Sequence, residues 1–122
     1  MRKNHQVIAE FSIIPIGQRG TSLTRYVAAV ANAFGEMTSL EYELTPMGTI
    51  LAANDLGTVF EAVSRAHEAV VAMGVKRVVS SLRIDDRRDK SRIMNDKVKA
   101  VQEYREKRKN STMNAELEES NK

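Results

Sequence analysis

The chain contains no cysteine and no tryptophan, and only three Tyr and three Phe in 122 residues. Without a thiol there is no disulfide framework, no Cys-based zinc site and no thiol catalysis, and such a composition suits a reducing compartment. With so few aromatics the core must be built from Val, Ile, Leu, Ala and Met. No apolar run approaches the roughly 20 residues that span a bilayer. The basic opening Met1–Gln6 is followed within four residues by Glu10, which leaves no room for a signal-peptide core. The default expectation is a cytoplasmic protein with no membrane partner. Chemistry-bearing motifs are equally scarce. There is no glycine-rich phosphate loop of nucleotidase type, no nucleophile elbow and only two histidines, so neither catalytic residues, nor a metal site, nor a cofactor is expected.

What the chain does have is charge, unevenly spread. The net charge is +3, and 10 of the 19 Lys and Arg lie between Asp85 and Lys109, interleaved with six acidic residues. Mixed signs weaken any summed field, which favours a solvated helix face over a nucleic-acid surface.

The punctuation of the sequence predicts one domain over residues 7–109, preceded by a flexible lead at 1–6 and followed by a polar, disordered tail at 110–122. Val7–Ile14 reads as a strand rich in β-branched residues, ended by Pro15 and Gly17. Thr21 or Ser22 can cap a helix whose apolar positions are Leu23, Tyr26, Val27, Val30, Phe34 and Met37. Leu40–Thr45 and Thr49–Ala52 read as strands joined through Pro46-Met47-Gly48. Asn54 or Asp55 can cap a second helix with the stripe Leu56, Val59, Phe60, Val63, Val70 and Met73, closed by Gly74. Val75–Ile84 is the fourth strand. A third helix is expected from about Asn95 to Lys107, with a narrow stripe of Met94, Val98, Val101 and Tyr104. The order β-α-β-β-α-β-α, with right-handed crossovers, gives an α+β, ferredoxin-like domain. Its four-stranded antiparallel sheet has order 4-1-3-2, with two helices on one face and an extra C-terminal helix.

The other sheet face is the functional question. Side chains alternate across a strand, so Glu10, Ser12, Glu43, Thr45, Ser81, Arg83 and Asp85 can share one surface, with Ile14, Met47 and Val79 beside them. Such a face is solvated, buried in an assembly, or a ligand site. Arg83 paired with Glu10 or Asp85 is one arrangement it allows. RNA-recognition modules share this topology but stack bases on open-face aromatics. Here those positions carry Glu10, Ser12, Thr49 and Leu51, while Phe11 points inward. Acylphosphatases share it too and use an arginine in the loop before the first helix. Arg19 lies in such a loop, Gly17-Gln18-Arg19-Gly20, without a clear partner asparagine. His5 falls in the lead, and His67 on the second helix reads as a half-buried packing residue. Asp85-Asp86-Arg87-Arg88-Asp89-Lys90 is either a self-paired turn or the charged edge of a site.

Four segments together are more specific than any of these: Ala9–Gly17, Tyr42–Thr49, Arg65–Ala69 and Ile84–Lys90. In that order they resemble the small thiamine-binding-protein-like family, over about Val7 to Tyr104. The resemblance implies a homotetramer assembled through the open sheet faces. It also implies non-catalytic binding of thiamine or its hydroxymethylpyrimidine half. Matched by motif, the ligand-facing residues are Glu10, Ser12, Thr45, Met47, Thr49, Ser81, Arg83 and Asp85. The chemistry is compatible. Glu10 or Glu43 can accept from the aminopyrimidine and offset the thiazolium charge, Ser12 and Thr45 can donate to ring nitrogens, and Met47 offers a soft apolar wall. The alternatives left open are an oligomeric domain without a ligand and an acylphosphatase-like hydrolase.

Overall fold

Strand β1 (Val7–Ile16) leads into helix α1 (Thr24–Gly35), the hairpin β2 (Leu40–Thr45) and β3 (Gly48–Ala53), helix α2 (Leu56–Val71) and strand β4 (Arg77–Asp86). The structure, a computed structural model, describes residues 5–20, 22–89 and 98–108. The sheet is antiparallel with order β2-β3-β1-β4, the predicted ferredoxin-like α+β arrangement read from its other edge. Residues 98–108 form the third helix; Met94, Asn95 and the 110–122 tail lie outside the described residues.

The register sorts the strand residues by face. Val7, Ala9 and Phe11 of β1, Leu51 and Ala53 of β3 and Leu40 of β2 belong to the core beneath the helices. Tyr26, Val30 and Phe34 of α1 and Val59, Ala62, Ala66 and Val70 of α2 close it from the other side. Phe11 and Phe34 meet edge-on, with ring centroids 6.1 Å apart, and Tyr42 tilts against Phe34 at 5.8 Å. Four of the six aromatics therefore share one core.

Three local expectations are corrected. In α2 the buried stripe runs through Ala62 and Ala66, so Phe60, one position past Val59, turns 100° away and is 52% exposed. Helix α1 starts without a side-chain cap: its N-cap is Leu23, and Ser22 bonds the Thr24 hydroxyl instead. Strand β1 runs through Pro15 to Ile16. Its pairing with β3 ends at Phe11–Thr49 while its pairing with β4 continues, so Pro15 sits where β1 has become an edge, the place a residue without an N–H is tolerated.

Asp55 does cap α2. Its Oδ1 accepts from the Thr58 backbone N–H at 2.7 Å and from the Thr58 hydroxyl at 2.9 Å. These two bonds, the backbone one first, hold the Asp55 carboxyl below its ordinary range. A lowered folded-state value stabilises above the unfolded carboxyl's range and is lost as pH falls through the folded value. Asp55→Ala should therefore melt lower than the parent at neutral pH, and the gap should narrow below about pH 4. Melting curves at both pH values check this, and a gap independent of pH would remove the cap from the account.

Candidate functional site

Opposite the helices, the sheet presents Ile8, Glu10, Ser12, Ile14 and Ile16 from β1. Arg77, Val79, Ser81, Arg83 and Asp85 of β4 face them rung by rung. Ile50 and Ala52 of β3 and Glu41, Glu43 and Thr45 of β2 complete the surface. None of these is aromatic, which removes the stacking platform of an RNA-binding sheet. Ile14 and Val79, neighbours on one rung, are 47% and 45% exposed.

The expected site residues separate into two groups. Glu10, Arg83 and Asp85 line an open groove of about 550 Å³ floored by Ile8 and Ile50. Glu10 and Arg83 are register partners and both are exposed. Among the ion pairs of the described residues, none joins them. The second group is Ser12, Thr45, Met47 and Thr49, which line a groove of about 410 Å³ beside the hairpin tip, walled by Leu23 at the N-cap of α1 and Val27 within it. The two grooves share no lining residue, and the second opens toward α1 rather than onto the open face. Ser81 stands on the Ser12 rung, and Glu43 on the Glu10 rung across Ile50.

Two placements differ from expectation. Thr49 pairs with Phe11 and is buried on the helix side, not the open face. The hairpin turn consumes Pro46 and Met47, and β3 starts at Gly48, so Thr49 takes the inward parity. Met47 lies in that turn at 84% exposure rather than on a strand face. Gly48 explains the close seating of the turn: a Cβ there would meet the Phe11 carbonyl oxygen at 2.7 Å. Thr45 steadies the same turn. Its hydroxyl donates to the Gly48 carbonyl at 3.0 Å and accepts from the Met47 N–H at 3.3 Å.

The sequence reading missed His5. It is buried, and its Nε2 lies 2.9 Å from Glu41 Oε2, a carboxylate of the open face. Ala52, between Glu41 and Ile8 in the register, is fully buried yet stands outside the helix-side core. His5 therefore covers this corner of the face. The only signal available was a His two residues ahead of a strand, which is too common to separate from a loose end. His67 is half-buried as expected, its Nε2 2.7 Å from the Ser80 hydroxyl. The charge run after β4 is a self-paired turn: Arg87 binds Asp89 at 2.9 Å and Arg88 binds Asp86 at 3.0 Å. The Asp89 hydrogen bond raises the Arg87 pKa above its ordinary value. Among the described residues no cluster of three metal-ligating side chains occurs, and no helix is long and apolar enough to cross a membrane.

Comparison with known proteins gives this surface its context. The profile of the thiamine-binding protein family matches residues 9–102. The chain belongs to that family. A UPF0045 protein of Methanothermobacter thermautotrophicus is 47% identical over 97 residues, covering 80% of this chain and 97% of the relative. The crystal structure of the hypothetical protein MJ1052 of Methanocaldococcus jannaschii superposes with a TM-score of 0.71 at 42% identity, over 80% of this chain and 96% of that one. A Thermotoga maritima protein, provisionally assigned to thiamine biosynthesis or salvage, shares the fold. Its TM-score is 0.63 at 18% identity, over 78% of this chain and 97% of that one. All the site residues expected from the sequence lie inside the family-matched segment, whereas His5 precedes it.

Proposed function

We propose that this protein is a non-catalytic binder of thiamine, or of its hydroxymethylpyrimidine half, acting in the cytoplasm as a homotetramer with the ligand at a subunit interface on the open sheet face. The observation that supports this most is Glu10. It is a carboxylate on a central strand, in a groove with Arg83 and Asp85, and it has no ion-pair partner in the chain's own described residues. A thiazolium cation or a protonated aminopyrimidine is the complement such a carboxylate needs once water is displaced. Ser12, Ser81, Thr45 and Glu43 offer hydrogen-bonding groups along the same surface. Ile14 and Val79 on the same face favour covering it with another subunit. No nucleic-acid role is proposed.

Calorimetric titration with thiamine, its phosphates and the free pyrimidine, beside light scattering, tests the reading. The expected result is saturable binding by a particle of four 13.7 kDa chains. A tetramer that binds none of them would leave an assembly domain without this ligand. Turnover of an acyl phosphate that depends on Arg19 would instead make it a hydrolase.

A further inference from the structure

Among the described residues, the helix at residues 98–108 buries none of its side chains. All eleven residues are exposed, and Val98, Val101 and Tyr104 are 55%, 59% and 62% exposed. Spaced three apart, they drift about 60° per step and cover a helix face about 120° wide. A helix this short is marginal in water unless one face is covered. The open sheet face has the matching need at the Ile14–Val79 rung.

We propose that the helix of a second copy of this chain lies along β1 and β4 on the open face, roofs the groove around Glu10 and brings Tyr104 onto the bound ring. The proposal rests on reading that face as the thiamine site. Its geometry is set by two repeats. Open-face rungs of the β1–β4 ladder follow one another every ~6.7 Å: Ile14–Val79, then Ser12–Ser81, then Glu10–Arg83. A helix rises about 1.5 Å per residue, so Tyr104 lies some 9 Å beyond Val98. With Val98 seated on Ile14 and Val79, Tyr104 falls between the serine rung and the Glu10–Arg83 rung.

Charge favours the same pairing. The face carries Glu10, Glu41, Glu43 and Asp85 against Arg77 and Arg83, and is net acidic. The helix carries Lys99, Arg105, Lys107 and Arg108 against Glu103 and Glu106, and is net basic. In this orientation Arg105 and Lys107 approach the end of the face that holds Glu10. The ligand also requires a second wall. Small-molecule sites bury roughly 70–90% of their ligand, while a single sheet leaves Glu10 and Arg83 exposed. The face holds no aromatic, so Tyr104 would supply the flat surface on which an aminopyrimidine or thiazolium ring stacks.

Because the chain has no cysteine, single thiols can be placed at will. Val79→Cys in one chain and Val101→Cys in a second, size-tagged chain are mixed, dissociated, reassembled and treated with a short bismaleimide. The expected product is a mixed adduct with the mass of one chain of each kind. Absence of the mixed adduct, with each protein folded and oligomeric, overturns the proposal. In parallel, thiamine is titrated into Tyr104→Ala and Tyr104→Phe. Loss of about tenfold or more in affinity for the alanine variant, restored by phenylalanine, is the stacking result. Wild-type affinity in Tyr104→Ala overturns the role of the ring. Failure of the parent itself to bind thiamine defeats the ligand reading, and the cross-link then decides the helix placement by itself.

Discussion

Phe34→Ala is expected to lower the unfolding free energy by about 3–5 kcal/mol. A domain of this size has roughly 5–15 kcal/mol in all, so the variant should be near the edge of folding. Phe34 is fully buried and touches two other rings, Phe11 from the sheet and Tyr42 from β2. Removing it opens a cavity at the point where α1 is joined to the sheet. With only six aromatics in the chain, no neighbouring ring stands ready to refill it. Phe60→Ala is the control. The same chemical deletion at a site 52% exposed should change stability far less. Urea unfolding of the three proteins measures both effects. Equal losses at the two positions would mean that the core is not where the structure puts it.

Glu10→Gln is expected to weaken thiamine binding by roughly 1.5–3 kcal/mol, the scale of a hydrogen bond to a charged group, with the oligomer intact. The substitution preserves shape and removes only charge. If Glu10 serves a cationic ligand, affinity falls and the melting temperature of the ligand-free protein stays near that of the parent. If Glu10 instead holds Arg83 of its own or a neighbouring chain, stability or assembly falls and affinity follows indirectly. Calorimetric titration beside scattering mass separates the two. Unchanged affinity would take Glu10 out of the site.

Most of the architecture could be read from the residues because period and punctuation agree. Gly17 ends β1, Pro46 ends β2 and Asp55 opens α2, and the two-residue alternation of β1 and β4 gave their faces correctly. That alternation, with the same one in β2, placed Glu10, Ser12, Glu43, Thr45, Ser81, Arg83 and Asp85 on one surface. The misplacements of Thr49 and Phe60 share one cause, the choice of phase where the apolar signal is ambiguous. Thr49 was given the wrong face because the turn length before it was not fixed by the sequence. Phe60 looked like core because a large apolar residue outweighs alanine in any hydrophobic stripe, although Ala62 and Ala66 are what lie against the sheet and α1. His5 was invisible for a different reason. Its partner Glu41 is 36 residues away, and nothing local announces a contact that only the finished register creates.

The strict alternation of β1 also bears on how such a protein can change over generations. Val7, Ala9 and Phe11 answer to folding, while Ile8, Glu10 and Ser12, each one step away, do not enter the core. Point substitutions can therefore retune the outward set for a different small molecule with little consequence for the inward one. A single-codon insertion in the strand has the opposite character. It would exchange the two sets from that point onward, turning a carboxylate inward and a phenylalanine out. Drift in recognition by substitution, with strand length held fixed, is the pattern this sheet imposes on its descendants.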